Sequence, residues 1–186
     1  MIPYLLAIYR LHKRKNSMVS TGELAEFMGV REASVSEMVA KMSARRYLVV
    51  KHHKGFYLTK KGVQEGHKAY RSLKALEALF RDKLGVPVGE AKGIAEAGIS
   101  YQVTKGIERF LGIRQSSIIR HMDRVRQGRW RFLFYVGHPD EASADIKPEE
   151  EFEVIRKTSK GLLIRKGGKR QMVSNSFAAK SYCILR

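Results

Sequence analysis

Apolar residues in the first part of the chain recur at helical spacing. They follow one stripe over residues 3–15, and basic residues gather at its end, where they suit the helix dipole. The motif Ser20-Thr21-Gly22-Glu23 has the spacing of a capping box and predicts a second helix over residues 21–28. Gly29 ends that helix, and renewed apolar periodicity predicts a third helix from 32 to about 45.

A β-hairpin is predicted directly after the third helix. Residues 47–50 and 56–59 are rich in β-forming side chains, and the basic turn 51–55 joins them. Two short helices joined at a glycine and followed by a hairpin have the order of a winged helix-turn-helix. In that motif the second of the paired helices enters the major groove of DNA. The order therefore predicts a DNA-binding domain over residues 1–62.

Side chains that could contact DNA lie on the third helix and the hairpin. Small or polar side chains at the start of the helix suit base reading, and these are Arg31, Ala33, Ser34, Ser36 and Glu37. The side chains expected on phosphates are Lys41, Arg45, Arg46, Lys51, His52, His53 and Lys54. Two alternatives stay open: an ordinary solvated helix face beside a structural hairpin, and a metal pair at His52 and His53.

Helices are also predicted in the middle of the chain. A long helix covers residues 62–84 and ends at Gly85-Val86-Pro87, and shorter helices follow over 89–99 and 101–111. They carry more apolar surface than the winged module can cover, which predicts a homodimerisation domain over residues 63–129. Residues 112–127 could form a basic helix, and their role is open between dimer core, linker and DNA contact.

The last third of the chain changes to strand-like patterns. Residues 130–136, 151–156 and 161–165 predict strands, and the segment 130–186 reads as a small β-barrel of about five strands. Gly167-Gly168-Lys169 is expected to be a turn between strands, and Cys183 a buried strand residue. The predicted fold class is mainly α with β: a winged helix-turn-helix, a helical dimerisation region and a C-terminal β-domain.

The net charge of the chain restricts the kinds of partner that it could bind. Of the 186 residues, 36 are basic and 18 acidic, a net +18, and residues 1–84 hold 17 basic and 7 acidic side chains. Such an excess predicts a polyanionic partner and strongly salt-dependent binding; charge alone would also permit RNA or a membrane surface. No apolar run is long enough to span a bilayer, which predicts a cytoplasmic protein without membrane contact.

The sequence contains little that indicates a catalytic site or a site built from cysteines. The single cysteine excludes an intramolecular disulfide and a multi-cysteine zinc site. Ser116, His121 and Asp123 lie close in sequence, but no nucleophile elbow or oxyanion device accompanies them. The chain is therefore predicted not to be an enzyme.

Several motifs together resemble the diphtheria toxin repressor family of metal-responsive regulators. The motifs are Tyr4-Leu5-Leu6-Ala7-Ile8-Tyr9, Glu23-Leu24-Ala25, Ser34-Val35-Ser36-Glu37-Met38-Val39 and Leu58-Thr59-Lys60-Lys61-Gly62. Residues 146–155 and Lys166-Gly167-Gly168 resemble the family's SH3-like C-terminal module, which is shared with the ferrous-iron-transport accessory protein. The resemblance implies a dimer that binds a palindromic operator when Fe²⁺ or Mn²⁺ stiffens the dimerisation region.

The chain departs from the family where that metal would bind. Positions at which the resemblance implies ligands carry residues without donor atoms, namely Pro3, Leu6, Leu73, Gly89, Gly93 and Ala97. Glu77 and Glu96 remain from the family's set and are expected to pair with basic neighbours or face solvent. Two carboxylates make a poor iron or manganese site. The other possible ligands, His67, His121, His138 and Cys183, are scattered along the chain.

These observations lead to a homodimeric, sequence-specific transcription regulator, a repressor by resemblance, that binds double-stranded DNA without the usual Fe²⁺ or Mn²⁺ switch. One alternative is a basic architectural protein that coats DNA with little sequence preference. Another is a metal-dependent repressor with a relocated metal site. A third is that the β-domain binds a peptide or protein partner while the winged module only locates it on DNA.

Overall fold

Three short helices open the chain at the positions that the apolar spacing predicts. The computed structural model describes residues 1–52, 54–87, 101–113, 119–136 and 144–185. The helical part consists of α1 (Ile2–Lys15), α2 (Thr21–Met28), α3 (Glu32–Ala44), α4 (Lys60–Leu84) and α5 (Tyr101–Phe110), with the hairpin strands β1 (Leu48–Lys51) and β2 (Gly55–Leu58) before α4. No helix among the described residues is long and apolar enough to cross a membrane.

Local signals define the boundaries of α2. The Ser20 hydroxyl accepts from the Glu23 amide at 3.2 Å, and the Glu23 carboxylate accepts from the Ser20 amide at 2.8 Å. This is the predicted capping box, which satisfies two otherwise unpaired donors. Gly29 ends the helix with φ of 65°, a left-handed conformation that glycine adopts without a Cβ clash. The prediction of α2 is confirmed residue for residue.

The C-terminal part of the chain is an antiparallel sheet. Its strands are β3 (Ile119–His121), β4 (Gly128–Tyr135), β5 (Glu151–Thr158), β6 (Gly161–Lys166), β7 (Lys169–Ser174) and β8 (Ser181–Leu185), with the short helix α6 (Asn175–Ala179) before β8. The strand order is β3-β8-β4-β5-β6-β7. The predicted fold class is confirmed, although the sheet is open and has six strands among the described residues, rather than about five in a closed barrel.

The suggested helix over residues 112–127 is wrong for its second half. Ile119–His121 forms strand β3, in which Ile119 pairs with Ile184 of β8, and a 3₁₀ turn follows at Met122–Arg124. A strand forms here rather than a helix because the edge position in the sheet buries both Ile119 and Met122. Residues 114–118, and the helix predicted over 89–99, lie outside the described residues.

One face of the sheet packs directly on the helical part. Phe134 of β4 meets Tyr9 of α1 edge to face, with ring centroids 5.2 Å apart, and stacks on His12 at 5.2 Å. Tyr182 of β8 donates a hydrogen bond from its hydroxyl to the Leu58 carbonyl at 3.3 Å. The opposite face covers a second core, in which Phe177 stacks on Tyr135 at 4.8 Å. The sheet and the winged module therefore share a hydrophobic core.

Candidate nucleic-acid interface

The third helix buries one side and exposes the other. Val35, Val39 and Met42 point into the core with exposures of 0%, 7% and 0%. All five residues predicted to read bases are exposed: Arg31, Ala33, Ser34, Ser36 and Glu37. A helix fixed by its apolar side and carrying short polar groups on the other side has the form required for insertion into a groove.

The predicted phosphate contacts surround that helix face. Lys41, Arg45, Arg46, Lys51, His52 and Lys54 are all exposed, and His53 lies outside the described residues. Residues 31–61 hold eight basic and two acidic side chains, a net +6. This concentration of positive charge favours a polyanion. Lys41 and Glu37 form a salt bridge of 2.5 Å, and its hydrogen bond and charge lower the pKa of the Glu37 carboxyl.

Contacts at the base of the hairpin hold this wing against α3. Thr59 accepts a hydrogen bond from the Gly62 amide at 3.2 Å and donates to the Arg46 carbonyl at 2.7 Å. A Cβ on Gly62 would lie 2.2 Å from the Tyr47 carbonyl oxygen, so the chains pass here only because residue 62 is glycine. The Leu-Thr-x-x-Gly motif thus has two roles: it caps the N-terminus of α4, and it fixes the angle of the wing.

The tip of the wing is tied to the loop before α2. Val19 and Phe56 exchange backbone hydrogen bonds of 3.0 and 2.8 Å, forming a short bridge beside the hairpin. Gly55 has φ of 102°, and a Cβ there would lie 2.4 Å from the Val19 carbonyl oxygen. The wing is therefore positioned by backbone contacts at both ends.

Sequence reasoning did not select two lysines that extend this basic surface. Lys60 and Lys61 are exposed at the start of α4, directly after the wing. Lys61 donates to the Arg45 carbonyl at 3.2 Å, and its ammonium lies 4.2 Å from the centre of the Tyr47 ring. The sequence could have indicated these two lysines, because they belong to the Leu-Thr-Lys-Lys-Gly motif that follows the wing immediately.

Two of the positions that the resemblance assigns to the family's metal, Leu6 and Leu73, lie in an apolar junction instead, while Gly89, Gly93 and Ala97 lie outside the described residues. Leu73 and Leu76 of α4 are buried, and Leu6, Phe80 and Ile107 pack against them. Glu77, the remaining carboxylate on α4, pairs with Lys74 at 2.6 Å, as expected for a surface ion pair. Glu96 lies outside the described residues. The residues at this junction do not fit a divalent cation, because hydrocarbon side chains supply no ligand atoms.

The scattered histidines and the cysteine do not converge either. His67 lies buried between α1 and α4, where its Nδ1 is 2.9 Å from the Tyr9 hydroxyl. His121 pairs across strands with Tyr182, so it faces away from Cys183, which pairs with Arg120. Cys183 is buried in β8 as predicted, and burial raises the pKa of its thiol. His138 lies outside the described residues, within which no group of three potential ligands occurs.

The central strands of the sheet offer no open broad face. Phe134 and Tyr182 face the helical part, while Trp130, Phe132 and Cys183 face the second core. A peptide laid across these strands would have to displace part of the chain's own core. The β-domain is thus a packed neighbour of the winged module rather than a separate module on a linker.

Comparison with known proteins agrees with this architecture. Residues 2–56 match the family described as iron dependent repressor, N-terminal DNA binding domain. The HTH-type transcriptional regulator MntR of Geobacillus kaustophilus is 31% identical over 108 residues, which cover 58% of this chain and 69% of that protein. A regulator of the same name from Listeria monocytogenes is 29% identical over 151 residues, 78% of this chain and 92% of that protein.

A solved structure extends the likeness over the whole chain. The manganese regulator SloR superposes with a TM-score of 0.53, covering 100% of this chain and 98% of its own, at 21% identity. At that level of identity the likeness establishes the fold alone, including the C-terminal sheet. The family match over residues 2–56 and the identity to MntR agree with this fold. The chain therefore belongs to the diphtheria toxin repressor family of iron-dependent repressors, whose members are metal-dependent, DNA-binding transcription regulators.

Proposed function

We propose that the protein is a homodimeric, sequence-specific regulator that inserts α3 into the major groove of an inverted-repeat operator. The observation that supports this most strongly is the exposed polar face of α3, with Ser34, Ser36 and Glu37 flanked by the basic wing. In this pose the α3 side chains meet base edges, while Lys51 and Lys54 meet the backbone. Half-sites would lie about one helical turn apart, or a multiple of it.

Substitutions on α3 and on the wing should affect DNA binding differently. Ser36→Ala should reduce the preference for the operator over scrambled duplex, because a base contact carries sequence information. Lys54→Gln should weaken both duplexes about equally and reduce the salt dependence by about one phosphate contact. Fluorescence anisotropy with both duplexes at two salt concentrations measures this. Uniform loss from both variants would contradict sequence reading by α3.

We also infer that DNA binding does not require Fe²⁺ or Mn²⁺. The supporting observation is the apolar junction of Leu6, Leu73 and Leu76, which joins α1 to α4 through hydrocarbon contacts. Such contacts hold the helices together without an ion. Operator affinity should therefore be the same in chelator as in added Mn²⁺ or Fe²⁺. Binding that appears only with metal would refute this inference and favour a relocated site.

The proposed dimer interface lies on the outer side of α4 and α5. Leu84, Val103 and Phe110 are large apolar residues with exposures of 60%, 51% and 70%. Phe110→Glu should convert dimer to monomer in sedimentation, because it places a charge in an apolar contact. Met172→Glu on β7 changes an apolar residue of 46% exposure and is the matched control. A Phe110→Glu protein that stays dimeric would place the interface elsewhere.

A second candidate function is architectural DNA coating, which one observation favours. Arg120, Arg124, Arg126 and Arg129 are all exposed, on the segment that leads into the sheet. They could form an additional phosphate track outside the winged module. Replacing all four with Gln should lower affinity for every duplex if the protein coats DNA. The operator-specific regulator predicts that the same change leaves the affinity for the operator nearly unchanged, because on that reading these arginines do not contact DNA.

A further inference from the structure

Strand β7 forms one edge of the sheet and has no neighbouring strand on its outer side among the described residues. The strand order ends at β7, which pairs with β6 along its whole length without a bulge. Prolines and bulges are common devices that stop an edge strand from pairing further, and Lys169–Ser174 contains neither. The edge is therefore a regular row of backbone groups that an additional strand could use.

The turn before β7 determines which backbone groups point outward. Both residues of the turn Gly167-Gly168 have positive φ, 54° and 80°, as a two-residue type I′ turn requires. Such a turn places Lys166 and Lys169 in a hydrogen-bonded pair, and hydrogen-bonded and non-hydrogen-bonded pairs then alternate along the strands. The amides and carbonyls of Arg170 and Met172 are thus directed away from β6, and no hydrogen bond joins them to another described residue.

Positive charge at this edge lacks matching carboxylates. Glu153, Arg165 and Arg170 lie in one row across β5, β6 and β7. Glu153 pairs with Arg165 at 3.0 Å, whereas Arg170 is exposed and forms no ion pair with a described residue. On the other face of the sheet, Lys169 is likewise exposed without such a pair, directly opposite Lys166. Because like charges that lie opposite each other destabilise a sheet, acidic side chains next to β7 would relieve the repulsion.

A neighbouring row on the same face as Arg170 is apolar. Leu163 of β6 lies directly opposite Met172 of β7, and Met172 is 46% exposed. An apolar side chain on an added strand would cover Met172 and extend this row. For an antiparallel strand, the rows specify an apolar residue opposite Met172, an acidic residue two positions later opposite Arg170, and a second acidic residue opposite Lys169.

We propose that β7 binds an extended acidic segment of a partner protein, which adds to the sheet as a further strand. Backbone hydrogen bonds to Arg170 and Met172 supply the affinity, and the charged and apolar rows select the sequence of the segment. A DNA backbone could neutralise the charge, but it offers neither amides for strand pairing nor an apolar group for Met172. A second copy of β7 would bring its own Lys169 and Arg170 to an edge that is already positive.

Strand addition at β7 leaves the shared core undisturbed. In the strand order, β7 lies three strands beyond β4, whose Phe134 packs on Tyr9 of α1. The protein could therefore hold DNA through the winged module and a partner protein through β7 at the same time. Binding of the acidic segment itself does not depend on DNA.

A synthetic peptide and the DNA-free, full-length protein provide the test. The peptide is a strand of alternating valine and threonine in which two glutamates follow the last valine and threonine. Fluorescence anisotropy of the labelled peptide should show saturable binding. Lys169→Gln combined with Arg170→Gln should weaken it about ten-fold, because two cross-strand charge pairs are lost. Arg156→Gln combined with Lys160→Gln is the matched control: it removes two exposed cations from β5 and the β5–β6 turn and should change affinity less than about two-fold.

Amide hydrogen exchange tests the backbone pairing. Bound peptide should slow exchange at Arg170 and Met172, whose amides point outward, and leave exchange at Gln171 unchanged, because that amide already bonds to β6. Met172→Pro removes one outward donor and should abolish peptide binding. A proline whose missing N–H would face solvent is tolerated in an edge strand, so the sheet should still form.

Four results would overturn the proposal. The first is no saturable binding of the peptide, and the second is an equal loss in the two double variants, which indicates a general effect of net charge. The third is a scrambled duplex that displaces the peptide and binds the Lys169→Gln, Arg170→Gln variant about ten-fold less well, which would make the edge a DNA contact. The fourth is protection of the Arg170 and Met172 amides without peptide that is lost on dilution, which would mean that a second copy occupies β7.

Discussion

Gly62 joins the wing to the long helix and is tightly enclosed. Besides the Tyr47 carbonyl oxygen at 2.2 Å, an added Cβ would meet Cδ2 of Leu58 at 2.9 Å. Gly62→Ala should therefore lower the free energy of unfolding by about 1–3 kcal/mol, the usual cost of overpacking. Gly106→Ala in α5 has no atom within 4 Å of its Cβ and should raise stability by about 0.5–1 kcal/mol. Urea unfolding measures both, and equal effects would contradict the steric argument.

Two buried histidines should make the protein acid-sensitive. Burial lowers the pKa of His12 to about 4, while burial and the Arg71 charge lower the pKa of His67 to about 3. The folded state thus binds fewer protons than the unfolded state below about pH 6.5, so stability falls as pH decreases from there toward 4. Between pH 7 and pH 5 each histidine should cost roughly 2 kcal/mol.

The contribution of one histidine can be isolated by substitution. His67→Gln keeps a hydrogen-bonding group near the Tyr9 hydroxyl but cannot titrate, so the loss of stability between pH 7 and pH 5 should be about halved. Tyr9→Phe removes the same hydrogen bond while keeping both imidazoles, and its pH dependence should match that of the unchanged protein. Urea midpoints at the two pH values decide, and an unaltered slope in His67→Gln would refute the assignment.

At the scale of elements, a buried ion pair connects α4 to α5. Arg71 donates to both carboxylate oxygens of Glu108 at 2.8 and 2.5 Å, and the two side chains are 4% and 7% exposed. Glu108→Gln should destabilise the protein by about 3–5 kcal/mol, because the Arg71 charge then stays buried without a counter-charge. Glu65→Gln breaks the exposed pair with Lys68 and should cost less than about 1 kcal/mol.

A double variant separates the pair's net contribution from the cost of breaking it. Arg71→Met with Glu108→Leu removes both charges and should be far less destabilised than Glu108→Gln alone. Chemical unfolding of the three variants provides the comparison. If the double variant is as unstable as Glu108→Gln, the hydrogen-bonded Arg71–Glu108 pair itself stabilises the junction of α4 and α5, and the loss is not explained by an uncompensated charge alone.

The elements that the sequence predicted well are those with local signals. The Ser20 capping box and Gly29 lie within the segment that they delimit, and the exposed face of α3 follows from its own apolar spacing. Strand β3 was missed because its hydrogen bonds go to β8, far along the chain, and three residues carry no periodicity.

At the scale of the whole molecule, the shared core determines how the chain unfolds. Phe134 is fully buried between Tyr9, His12 and Tyr182, so the sheet and the winged module stabilise each other. A fragment that lacks residues 131–186 would expose this face of α1. Truncation is therefore a poor test of whether the β-domain binds a separate partner, because it also removes part of the DNA-binding domain's core.

Two spectroscopic signals can follow the sheet and the winged module separately. Trp130, the single tryptophan, lies in the core on the far side of the sheet and reports on the sheet through fluorescence. Far-UV circular dichroism reports mainly on the helices α1 to α4. If the halves are coupled through Phe134, both signals should change at one urea concentration, as in a two-state transition.

Phe134→Ala should separate the two transitions, because it removes the ring that contacts both halves and costs about 3–5 kcal/mol. Phe177→Ala removes an equally buried phenylalanine from the second core, so both signals should shift together to lower urea. Transitions that already differ in the unchanged protein would mean that the sheet and the winged module fold independently. Transitions that stay coincident in Phe134→Ala would mean that the remaining contacts, such as Tyr182 with Leu58, suffice to couple them.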